Sequence, residues 1–151
     1  MKLLDAPCGD LNWMKDVDLS NIDYIGCDID HLAKARWNAT WLNAYTSRFL
    51  NIDIVNGVLP QVDAVFCRDF MQHLPNEMVF KTLRNFKRTG AEWLLMTSHT
   101  NRVNEDIENP GEFRPLNLLV EPFNLPEPAI AIEDPPGSSR IIGVWRTAGL
   151  A

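Results

Sequence analysis

The 151 residues, 46% of them hydrophobic, are enough for one domain with a buried core, and no run approaches the ~18 consecutive apolar residues of a membrane span. The formal charge of −6 argues against a grip on nucleic-acid phosphates, which takes clustered Lys and Arg. The start lacks the basic flank and apolar stretch of a secretory signal, and three cysteines without zinc-ligand spacing fit free thiols in a cytoplasmic protein.

In chain order, residues 2–6 form an apolar run that ends on Asp5 and enters a turn at Pro7 and Gly9. Residues 24–27 make a second run, ending on Asp28. Residues 30–42 read as a helix through Ala33, Lys34, Ala35 and Arg36, with Trp37 and Trp41 packing on the sheet. A weak strand at 47–50 and a stronger one at 63–67 follow, the latter entered through Pro60. A helix is predicted from Pro75 to Arg88, stopped by Thr89 and Gly90. The basic cluster of Lys81, Arg84, Lys87 and Arg88 lies on it beside Val79, Phe80, Leu83 and Phe86, and reads as a solvated helix face. Residues 93–97 are a fifth strand. This alternation predicts an α/β fold of the Rossmann-like kind, a mostly parallel sheet with helices on both faces.

The texture then changes. Seven of the ten prolines lie between Pro110 and Pro136, which excludes regular helix or central strand. Phe113, Leu116, Leu118, Leu119, Phe123 and Leu125 give residues 98–128 much to bury, so the segment reads as an ordered lid or acceptor loop. Residues 129–133 and 141–145 are a closing strand pair around Pro135, Pro136 and Gly137. One domain spans 1–151.

Two strands that each end on an acid and feed a helix mark the place where open α/β sheets bind nucleotide-like ligands. The pair Asp5 and Asp28 therefore points to an adenosine-containing cofactor, with Asp28 holding the ribose hydroxyls. A dinucleotide-dependent oxidoreductase would also want that acid, but it would want a G-x-G-x-x-G loop, and Gly9 alone does not make one. Cys8, Cys27 and Cys67 all fall near strand ends. A three-thiolate metal site is the sharper reading, and small buried residues beside a cofactor loop the favoured one, so no metal is assigned.

With these strands placed, the chain resembles the class I S-adenosylmethionine-dependent methyltransferases over residues 3 to about 146. The first motif, strand then acid then Gly-rich loop, corresponds to Leu4, Asp5, Ala6, Pro7, Cys8, Gly9 and Asp10, with Pro7 and Leu11 where loop glycines are usual. That sequence, followed by Asn12, Trp13 and Met14, is similar to a small bacterial-type branch, as are Phe113-Arg114-Pro115-Leu116-Asn117 and Pro122-Phe123-Asn124-Leu125-Pro126. The second motif is Tyr24 to Asp28, the third Asn51-Ile52-Asp53, and the fourth runs from Cys67 through Arg68 and Asp69 to Pro75. The resemblance implies S-adenosyl-L-methionine as cofactor. Its site would comprise Asp5, Ala6, Pro7, Cys8, Gly9, Asp10, Asp28, Ile29, Asp53, Ile54 and Arg68, with Asp5 or Asp10 toward the methionine ammonium and Asp53 near the adenine amine. Family members carry helices before the first strand that close the acceptor pocket. Here Met1 abuts the strand, which implies an excerpt or a minimal version.

Methyl transfer needs an aligned acceptor and, for oxygen, a base. His73 and Asp69, four apart, share a face if the helix starts early. The alternatives are that His73 packs or caps the helix start and that Asp69 is an N-cap. Arg114 is expected to clamp an acidic acceptor, or else to form a surface salt bridge. The expected function is methyl transfer to a small-molecule or glycan-like acceptor. The alternatives are a cofactor-binding domain without turnover and the oxidoreductase.

Overall fold

In a computed structural model of the chain, residues 1–11, 14–30 and 48–150 are described. The predicted helix at 30–42, with Trp37 and Trp41, falls almost wholly outside them. Seven strands form one sheet: β1 (Lys2–Asp5), β2 (Asp23–Asp28), β3 (Arg48–Asn51), β4 (Ala64–Cys67), β5 (Trp93–His99), β6 (Ile130–Glu133) and β7 (Arg140–Arg146). Their order is β3-β2-β1-β4-β5-β7-β6. The first five are parallel, and β7 runs antiparallel to both β5 and β6. The predicted Rossmann-like sheet with a C-terminal antiparallel pair is therefore the fold. Strand boundaries differ from the predicted ones by at most one residue, except at the end of β5, which continues two further to His99.

The strands read as continuous apolar runs because both faces send side chains into a core. Successive side chains point to opposite sides. Leu4, Ile25, Val65, Cys67, Leu94 and Met96 enter one core, and Leu3, Tyr24 and Ala64 the other, with Phe66, Trp93 and Leu95 packed against that second core. The first core is closed by helix α1 (Asn76–Arg88), whose Val79, Leu83 and Phe86 are buried. At the start of α1, Pro75 offers no side-chain cap. Its carbonyl accepts from Met78 and Val79, and Asp106 Oδ1 accepts from the Asn76 N–H at 2.8 Å. At its end, Gly90 takes the left-handed conformation (φ 73°) that stops a helix. The Asn85 amide donates to the carbonyls of Ile54 (2.7 Å) and Gly57 (2.8 Å), tying α1 to the segment after β3.

The proline-rich segment is ordered by side-chain amides and by burial. Leu116, Leu118 and Phe123 join the first core, and the Phe123 ring packs on Phe80. Asn104 Nδ2 donates to the carbonyls of Asn117 and Glu121, each at 2.8 Å, while its Oδ1 accepts from the Asn117 N–H. Trp145 packs against Gly143 and donates from Nε1 to the Pro126 carbonyl at 2.7 Å; a Cβ on Gly143 would sit 2.2 Å from that ring. Among the described residues, no helix is long and apolar enough to cross a membrane.

Candidate functional site

The carboxyl ends of β1, β2 and β4 meet at one edge of the sheet. The loop after β1 stays in register on both sides: Ala6 N–H donates to the Phe66 carbonyl (2.8 Å) and Cys8 N–H to that of Cys27 (2.9 Å). Beyond Cys8 the chain turns through Gly9 (φ 53°) and Leu11 (φ 59°). Gly9 has no atom within 4 Å of where a Cβ would stand, so its backbone faces open space that a side chain would fill.

Asp28 sits at the centre of this arrangement. Its Oδ2 accepts from the Gly9 N–H at 3.0 Å and its Oδ1 from the Asp30 N–H at 2.9 Å. Asn51 fixes the backbone beside it, donating to the carbonyls of Asp28 (3.0 Å) and Ile29 (2.9 Å). A carboxylate oxygen accepts two hydrogen bonds, so each still has one lone pair for a ligand hydroxyl. The Ile29 side chain beside it is 68% exposed, an apolar surface at the rim.

Asp5, at the end of β1, is buried and receives a hydrogen bond from the Tyr24 hydroxyl. Burial pushes its pKa up to about 7; the Asp28 charge adds to this, while the Tyr24 bond and Arg68 oppose it. The three thiols are buried and free. Burial raises Cys8, Cys27 and Cys67 above the ordinary thiol range, Cys27 to about 12, so they are neutral thiols beside the loop. Among the described residues, no group of three or more His, Cys, Asp or Glu is placed to hold a metal ion.

Other predicted positions differ in what they offer. Ala6 and Ile54 are core residues whose side chains are not open to a ligand, and the Ile54 carbonyl is held by the Asn85 amide. Asp10 is exposed and Pro7 half-buried. Asp53 builds its own turn, with Oδ1 accepting from Val55 and Asn56 N–H and Oδ2 from the Asn56 amide at 2.8 Å. Partial burial raises its pKa, but these bonds outweigh that and hold it below the usual carboxylate value.

At the end of β4 the expectations need correction. Helix α1 begins only at Asn76, so Asp69 and His73 do not share a helical face and Asp69 is not its N-cap. Asp69 has φ 54°, and its carboxylate faces Arg140 Nη1 (2.6 Å), Gln72 Nε2 (3.0 Å) and Arg68 Nη1 (3.6 Å). Arg68 grips Asp134 with two nitrogens, at 2.8 and 3.2 Å, and Arg140 Nη2 lies 3.5 Å from the same carboxylate. Asp69 is thus one corner of a four-charge network that joins β4 to the β6–β7 turn; a carboxylate facing that many donors is no free base.

His73 ends a 3-10 turn, Met71–His73, and its Nδ1 lies 3.1 Å from the Glu112 carbonyl. A carbonyl only accepts, so Nδ1 carries the proton and the lone pair of neutral His73 is on Nε2. Arg114 departs furthest from expectation. It is 4% exposed, neither a lid clamp nor a surface salt bridge. Its Nη1 donates to the carbonyls of Leu74 (2.7 Å) and Gln72 (3.4 Å), and its Nη2 to Asn76 Oδ1 (2.6 Å). The guanidinium pins the loop onto the turn before α1. Two further residues lie here: Phe113, expected among the residues that bury the proline-rich segment but in fact exposed, with its ring against His73, and His99, the last residue of β5, given no role by sequence. The place of His99 at a strand's carboxyl end was the available signal.

No family model matches the chain, and no curated protein is significantly similar to it in sequence. Solved structures do share its fold. One is the 1,6-didemethyltoxoflavin-N1-methyltransferase of Burkholderia thailandensis, solved with 1,6-didemethyltoxoflavin and S-adenosylhomocysteine. It matches with a TM-score of 0.71 and 11% identity, over 96% of this chain and 70% of that one. TehB from Haemophilus influenzae matches with a TM-score of 0.67 and 19% identity, over 96% of this chain and 57% of that one. CalO1, a methyltransferase in calicheamicin biosynthesis solved with S-adenosylhomocysteine, matches with a TM-score of 0.66 and 16% identity, over 95% and 47%. The chain spans about half the length of the last two. These likenesses establish the class I methyltransferase fold.

Proposed function

We propose that this domain binds S-adenosylmethionine across the ends of β1 and β2 and transfers its methyl group to a hydroxyl of a small-molecule or glycan-like acceptor. The carrying observation is the Gly9–Asp28 pair, where an open left-handed glycine meets a carboxylate with lone pairs to spare. Those residues fit the cofactor. Asp28 would accept from both ribose hydroxyls, the open space at Gly9 would let the main chain come close to the methionine carboxylate, and Asp5 would face the ammonium. Ile29 offers its exposed side chain to the flat adenine. Arg68 borders the methionine end from the end of β4. Asp53 shapes the adenine side through the turn it builds.

When bound, the cofactor supplies an electrophilic methyl on a sulfonium. The chain's own work is to align an acceptor and to take its proton. His73 Nε2 is the base that the geometry leaves available, and a neutral imidazole suits that role near pH 7. A dinucleotide oxidoreductase is disfavoured, because that fold orders its strands 3-2-1-4-5-6, whereas antiparallel β7 here lies between β5 and β6. Titration with S-adenosylhomocysteine and, separately, with NAD tests the reading. Binding of the first alone supports it, and binding of NAD alone overturns it. Binding of S-adenosylhomocysteine without methylation across a broad acceptor panel would instead support a cofactor-binding domain without turnover. In the cell we place it in the cytoplasm, acting without nucleic acid or membrane.

A further inference from the structure

Three rings meet where the proline-rich loop crosses the ends of β4 and β5. Phe113 lies 5.6 Å from His73 at 53° and 6.1 Å from His99 at 71°, so its ring meets both imidazoles tilted or edge-on and not stacked. Phe113 is 62% exposed, unlike Phe123, which the same segment sends into the core. Its position is nonetheless fixed on both sides. Gly111 N–H donates to the His73 carbonyl (2.8 Å), Arg114 N–H to that of Gln72 (3.2 Å), and His99 N–H to that of Leu116 (2.8 Å).

The two imidazoles are held in opposite tautomers. His73 donates from Nδ1 to the Glu112 carbonyl, which leaves a lone pair on Nε2. His99 Nδ1 accepts from the Leu116 N–H at 3.2 Å, which puts the proton on Nε2. Among the described residues, neither Nε2 makes a hydrogen bond, and neither is a sealed, unsatisfied atom. The exposed Phe113 ring is thus bordered by one imidazole with an open acceptor and another with an open donor.

We propose that this group of rings is the acceptor subsite, built for a planar hydroxylated ring: Phe113 packs against the ring, His99 Nε2–H holds the hydroxyl oxygen, and His73 Nε2 takes its proton. The proposal rests on the methyl-transfer reading and narrows its acceptor class. An aromatic face pairs with a flat aromatic ring through offset or edge contact, a ring–ring term that a saturated sugar, limited to C–H contact, does not supply. A hydroxyl oxygen can accept from His99 and still direct a lone pair at the methyl. As the oxygen–carbon bond forms, the carbon–sulfur bond breaks with its pair kept by sulfur. The hydroxyl proton passes to His73 Nε2 and from there to solvent.

The test is calorimetric titration of 6,7-dihydroxycoumarin, with methyl α-glucoside as the non-planar comparison, into protein with and without S-adenosylhomocysteine. Three variants separate the parts. Phe113→Ala removes the aromatic ring. His99→Asn keeps an oxygen for the Leu116 N–H but nothing that reaches the Nε2 position, and His73→Asn likewise keeps a donor for Glu112. The coumarin should bind more tightly than the glucoside. Affinity should fall roughly tenfold in Phe113→Ala and in His99→Asn. His73→Asn should bind within about threefold of the parent, as a lone hydrogen-bond change allows, and lose methylation of the coumarin. Equal coumarin affinity in the parent, Phe113→Ala and His99→Asn overturns the subsite, as does absence of coumarin binding or preference for the glucoside. If S-adenosylhomocysteine itself does not bind, the methyl-transfer reading fails separately, and the coumarin titration without it still decides the subsite.

Discussion

The main-chain N–H of Gly9 donates to Oδ2 of Asp28 at 3.0 Å, joining the loop after β1 to the end of β2. The same carboxylate therefore shapes the loop and, in the proposed complex, receives the ribose. Asp28→Ala should weaken S-adenosylhomocysteine by roughly 1.5–3 kcal/mol, the range for hydrogen bonds to a charged group. Asp28→Asn keeps one accepting oxygen and should lose less. Titration calorimetry reads both, and parental affinity in the alanine variant would remove Asp28 from the site.

Gly9 supplies a separate control on where the cofactor lies. No neighbour crowds a Cβ there, so Gly9→Val should fold, losing about 1–2 kcal/mol for a side chain held at positive φ. Its methyl groups would enter the space proposed for the methionine carboxylate, and S-adenosylhomocysteine affinity should collapse. A folded Gly9→Val protein that binds normally places the cofactor elsewhere.

Asp5 should make both stability and binding depend on pH. Burial raises its pKa from the ordinary 3.8 to about 7. Between those values the folded protein holds a proton that the unfolded chain has released. The carboxyl therefore favours the fold at the acid end, and that contribution is lost as pH rises through about 7. Asp5→Asn should match the parent near pH 4 and exceed it at pH 8, by a few kcal/mol at most. A cationic ligand selects the ionised form, so cofactor affinity in the parent should fall below about pH 7. Melting temperatures at the two pH values check the first point; an equal difference at both would show that Asp5 is not the titrating group.

Arg114 should matter to stability before it matters to the acceptor. Arg114→Met leaves the Leu74 carbonyl and Asn76 Oδ1 without their buried donor and should cost roughly 1.5–3 kcal/mol. Arg114→Lys should rescue little, because one ammonium lacks the planar fork that reaches both. Urea midpoints measure this. An unshifted midpoint in Arg114→Met would mean that the guanidinium does not pin the loop.

How much of this was legible in the sequence differs by element. The strands were visible because parallel strands that pack side chains into a core on both faces are apolar throughout, as Leu3-Leu4 and Ala64-Val65-Phe66 are, and because Asp5 and Asp28 end their strands. The helix to Arg88 was visible in its spacing and in Gly90. Three-dimensional structure alone decided what the charges and rings of the site do. Arg114 is turned inward by carbonyls some forty positions away, Asp69 is claimed by Arg140 from the terminal hairpin, and His99 meets Phe113 only because the proline-rich loop returns over β5. Local pattern encodes which face of an element is buried. It carries no record of which distant donor or ring arrives there, because that partner is selected by the packing of the whole sheet.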